Sequence, residues 1–145
     1  MRAVAAAVAI AAIAWTAAAQ AADGAQVFAG TCQACHAESG VGTPGLAPPL
    51  VSPVIANAAT KQKDYPTMVV LNGLTGSIPL AAGGTMSSAM APQQGLSDDE
   101  VAAVVSYLYR LNHAKTVIKP ADVARVRAQP ASGDDLKRMR LDLMK

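Results

Sequence analysis

The sequence predicts an all-α fold, and three observations lead to that class. Residues 96–112, "LSDDEVAAVVSYLYRLN", carry a capping box from Ser97 to Glu100, then Val101, Val104, Val105, Leu108 and Leu111 at helical spacing. A shorter run, "DYPTMVVLNG", has Asp64 at a capping position, proline in its first turn and Gly73 as a stop. Around the only two cysteines, Cys32 and Cys35, the flanks "DGAQVFAGT" and a Gly/Pro-rich stretch give no strand pattern.

In chain order, the first segment is a leader. Arg2, an apolar run from Ala3 to Trp15 and a small-residue stretch ending Ala19-Gln20-Ala21 have the layout of a secretory signal peptide over 1–21, cleaved before Ala22. The run is short and alanine-rich for a permanent membrane anchor, and no later segment is apolar enough to span a bilayer. The remaining chain is one domain's worth, about 124 residues. Its aromatics are only Phe28, Tyr65, Tyr107 and Tyr109, which leaves a core short of bulky side chains.

Both cysteines lie in "CQACH", residues 32–36. An exported chain could close them into a disulfide, but a thioredoxin-like motif would follow a strand. Zinc needs four ligands, and the whole chain offers Cys32, Cys35, His36 and His113, two of them adjacent in sequence. C-x-x-C-H is the pattern of c-type haem attachment. One helical turn presents two thiols to the haem vinyl groups, and the following histidine faces the iron.

A six-coordinate electron-transfer haem needs a second axial ligand, commonly methionine. Met68 falls in the short helical pattern and reads as packing, while Met139 and Met144 fall in a charged tail. Met86 and Met90 sit in "GGTMSSAMAPQQG", expected to be a loop able to bend a side chain across a haem face.

"CQACH", "APPL", "VLNGLTG", the methionine segment and "LSDDEVAAVVSYL", in this order, resemble the small single-haem class I cytochromes c over about residues 24–112. The resemblance is strongest to cytochrome subunits of periplasmic alcohol, sugar and similar dehydrogenases. It implies three to five helices around one covalently bound haem c, with Cys32 and Cys35 as thioether anchors and His36 as proximal ligand. It favours Met90 over Met86 as the second axial ligand, although the proline expected directly after the methionine is displaced to Pro92. It also implies that the Pro48 carbonyl, or its neighbour Pro49, accepts the second N–H of the histidine, with Leu50 against the haem. Phe28 and Tyr107 match the crossing of the first and last helices, with Gly30 allowing close approach.

The domain expected from the resemblance spans 22–112, followed by a basic tail, 113–145. From Ala22 to Tyr109 two basic residues stand against six acidic ones, a net of −4, and from Arg110 onward nine stand against four, a net of +5. "KPADVARVRAQP" and "GDDLKRMRLDLMK" both have short helical patterns, the second with Leu136, Met139 and Leu143 on one face. The tail reads as a docking element for a dehydrogenase subunit, or as a strap over the acidic body. Nucleic acid is a poor partner, since the tail lacks aromatics to stack bases. The function implied is a periplasmic one-electron carrier, taking electrons from a partner dehydrogenase and passing them to a downstream cytochrome or oxidase, with membrane association only through a partner. No catalytic acid–base set is visible, because Asp98, Asp99 and Glu100 are explained by the helix dipole. The rival is a haem enzyme or gas sensor with a labile sixth ligand.

Overall fold

The computed structural model describes residues 21–145; the leader expected over 1–21 lies, but for its last residue, outside them. The first helical stretch comprises α1 (Gly24–Val27), a π-helical turn (Phe28–Cys32) and α2 (Gln33–His36), which follow one another without interruption. Asp23 caps its start by accepting from the Ala25 N–H at 2.9 Å. The π turn has a geometric consequence. At 3.6 residues per turn Phe28 and His36 would be about 80° apart around the axis, and absorbing one extra residue reduces this to about 20°. Both side chains are buried.

Helices α3 (Pro53–Lys61), α4 (Tyr65–Asn72) and α5 (Asp98–Leu111) complete the body. Ser97 caps α5 in a full capping box, its hydroxyl accepting from the Glu100 N–H while the Glu100 carboxylate accepts from the Ser97 N–H at 2.8 Å. Val101, Val104, Val105 and Leu108 on this helix are buried. The first stretch crosses α5 with Phe28 and Tyr107 in ring contact, centroids 5.5 Å apart. The glycine that permits the crossing is Gly24, where an added Cβ would lie 2.1 Å from the Ala103 carbonyl oxygen. Gly30 has open space at the same test, so the close approach expected there belongs six residues earlier.

Two other expectations are corrected. The methionine segment is not a loop: β1 (Leu74–Pro79) pairs antiparallel with β2 (Thr85–Met90), Leu74 opposite Met90 and Ile78 opposite Met86. Asp64 occupies the N-cap position of α4 without a capping hydrogen bond; its carboxylate instead accepts from Arg125 at 2.7 Å.

The tail folds onto the body as α6 (Pro120–Arg127) and α7 (Gly133–Leu143). Ile118, Val123, Val126, Leu136 and Leu143 join the same hydrophobic core as Phe28, Val104 and Tyr109. The charge division has a structural counterpart here, since Arg125 pairs with Asp64, Arg127 with Asp98 at 3.0 Å, and Lys63 with Asp122 at 2.7 Å. The inward face of the tail is thus occupied by the chain itself. Among the described residues, no helix is long and apolar enough to cross a membrane.

Candidate haem site

Helix α2 ends on the CxxCH motif. Cys32 is half-buried and Cys35 exposed, three residues apart and therefore on one side of the helix, and the two thiols are not joined. Burial, with the Cys35 charge added, pushes the Cys32 thiol up to about 11. His36 is buried, and its Nδ1 lies 3.0 Å from the Pro48 carbonyl oxygen, which fixes Nδ1 as the protonated nitrogen and leaves Nε2 as a lone-pair donor. Burial lowers the His36 pKa below the ordinary imidazole value, more than the bond to Pro48 raises it, so the ring is held neutral.

The proline loop is braced to deliver that carbonyl. Gly42, at φ +85°, donates its N–H to the His36 carbonyl at 2.8 Å, and a Cβ there would lie 2.6 Å from the Pro49 nitrogen. From the other side Asn112, just past α5, donates to the Leu50 carbonyl at 2.9 Å and accepts from the Ser52 N–H at 2.9 Å. The loop is therefore clamped between the helix that bears the motif and the helix packed across it. His113, the other histidine, is exposed beyond this clamp.

Met90 is positioned by the hairpin and by α4. Gly73 ends α4 at φ +73°, and a Cβ there would lie 2.6 Å from the Met90 carbonyl oxygen. Three residues on, the Gln93 N–H donates to the Val70 carbonyl at 2.8 Å, tying the exit of β2 to the same helix. Met86 faces elsewhere, against a second depression formed with Val41, Pro48, Pro49 and Leu80.

A cavity of about 290 Å³ brings these parts together. Cys32, Cys35, His36, Pro48, Leu50 and Met90 all line it, and Met86 does not. Most of the remaining wall is aliphatic, from Ile55, Val70, Leu74, Ile78, Val104 and Leu108. A planar, largely apolar cofactor bearing two vinyl groups and an iron suits this wall, with two thiols at its mouth and one neutral imidazole inside. Among the described residues no group of three or more His, Cys, Asp and Glu side chains is assembled as a metal site.

Two further wall residues, Tyr65 and Arg140, escaped the sequence reading. Tyr65 is 2% exposed; burial raises its pKa, and the neighbouring Arg140 opposes the rise by polar contact and by charge. Arg140 comes from α7 and is 7% exposed. Its signal was present: it lies four residues after Leu136 and three before Leu143, on the apolar face of its helix.

The family model for cytochrome c matches residues 21–112. The chain is 34% identical over 121 residues to cytochrome c-552 of Thermus thermophilus, covering 82% of this chain and 85% of that one. A cytochrome c-552 from a named strain of the same organism matches at 34% over 121 residues, covering 82% of this chain and 75% of the relative. The cavity, the thiol pair that lines it and these likenesses agree: the chain belongs to the cytochrome c family, whose members carry electrons on one covalently bound haem c.

Proposed function

We propose that this protein is a periplasmic single-haem electron carrier with His36 and Met90 as the two axial iron ligands. The observation that carries the ligand choice is the shared cavity, which His36 and Met90 both line and Met86 does not. Haem iron supplies a one-electron step between ferric and ferrous forms, and thioether ligation with apolar burial favours the ferrous side. The contribution of the chain is to hold the ligands in both states. His36 is oriented by Pro48, and Met90 by the close passage of Gly73 and the Gln93–Val70 bond. The aliphatic wall keeps water from the reacting centre, so little reorganises on transfer.

Spectra test the ligand choice. Met90→Ala should abolish the weak sulfur-to-iron charge-transfer band of the ferric protein and lower the reduction potential, while Met86→Ala should leave both unchanged. The opposite pair of results would transfer the role to Met86, and a parent protein without the band that binds carbon monoxide rapidly when reduced would favour a sensor or enzyme. The electron donor proposed is a substrate-oxidising dehydrogenase, as in the subunits the sequence resembles, with a cytochrome or oxidase as acceptor. Stopped-flow reduction by candidate periplasmic dehydrogenases measures this directly.

A further inference from the structure

Arg140 is a permanent cation in an apolar wall. Its Nε–H donates to the Pro79 carbonyl at 2.9 Å, which leaves the two terminal nitrogens for other acceptors. Among the described residues no carboxylate lies within ion-pairing distance of it, although seven other ion pairs form. Beside it lies the buried Tyr65 hydroxyl, whose nearest charged group is Arg140 itself and whose proton has no acceptor. A guanidinium does not shed its proton, and a charge left unpaired out of water is strongly unfavourable. A cation without a counter-charge and a hydroxyl with a proton to give, side by side in a cofactor cavity, call for an anion brought by the cofactor. The anionic groups of haem are its two propionate carboxylates.

We propose that the Arg140 guanidinium, with the Tyr65 hydroxyl, binds a haem propionate, so that the segment after residue 112 supplies part of the cofactor site. The planar fork of arginine matches a carboxylate in bidentate fashion, and the tyrosine offers a third donor. The bond to Pro79 anchors the fork against β1, so α7, the hairpin and α4 meet at the carboxylate. The pairing offsets a negative charge that would otherwise stabilise the ferric form. This rests on the covalent haem of the family and not on the identity of the sixth ligand.

The test uses the full-length holoprotein. Arg140→Gln should lower the ferrous-to-ferric ratio at fixed ambient potential about tenfold, a shift of about 59 mV for a one-electron couple. Arg140→Lys, which keeps the charge, should stay near the parent, and both should retain the sulfur-to-iron band. In the ferrous parent protein, nuclear Overhauser contacts should link the Arg140 side-chain N–H groups to propionate methylene protons. An unchanged potential in Arg140→Gln, an equal fall in both variants, or absence of those contacts would overturn the pairing. If Arg140→Gln does not fold, the contacts in the parent decide the question. A parent lacking the sulfur band would count against Met90 ligation alone.

Discussion

Leu136 on α7 is 0% exposed and sits in the core shared with the body, whereas Leu141 on the same helix is 50% exposed. Replacing Leu136 by alanine removes three carbons from a packed site, and such truncations cost about 2–5 kcal/mol according to how far the cavity relaxes. Leu141→Ala empties no cavity and should stay within about 0.5 kcal/mol of the parent. Both leave helix propensity nearly untouched, since leucine and alanine rank close together, so the difference between them isolates burial. Equilibrium unfolding in guanidinium chloride, followed by far-ultraviolet circular dichroism and by haem absorbance, gives both values. A Leu136→Ala cost no larger than that of Leu141→Ala would show that α7 does not pack on the body and would refute the integrated tail.

Gly73→Ala forces a side chain onto a positive φ and against the Met90 carbonyl, so it should cost about 1–2 kcal/mol and weaken the sulfur-to-iron band; an unaltered band would remove Gly73 from the positioning of Met90. Asp122 is held down at about 2 by hydrogen bonds from Lys63 and from the Lys119 backbone, so its contribution is fully present above the unfolded carboxylate value and is lost as pH falls from about 4 toward 2. The stability gap between the parent and Asp122→Asn, within about 1 kcal/mol for a surface pair, should therefore close over that range in acid titrations and shrink with salt.

What could be read in advance was whatever depends on local chemistry. The CxxCH spacing, the Ser97–Glu100 box and the short α4 pattern each act within a few residues, and each has its place in the structure. The hairpin was illegible because "LTGSIP" and "TMSSAM" lack clean alternation and carry glycine and serine; their pairing depends on burying Leu74 and Ile78 against the body. Gly24 and Gly30 are indistinguishable as letters, and only the crossing with α5 separates them. Asp64 was drawn from its capping role by a partner 61 residues away, Arg125, which no local pattern contains. Arg140 counted in the sequence as one of the nine basic residues from Arg110 onward. Its place on an apolar helix face was the clue that it is buried.

The wall that holds Arg140 is also assembled from distant parts of the chain. His36 and Arg140 come from opposite ends of the described chain, so the pocket they both line is whole only once those ends have met. Without α7 the pocket wall would lose Arg140, the one lining residue that the tail supplies. The last turns of the chain are thus a piece of the site itself, and the site is complete only with the tail in place.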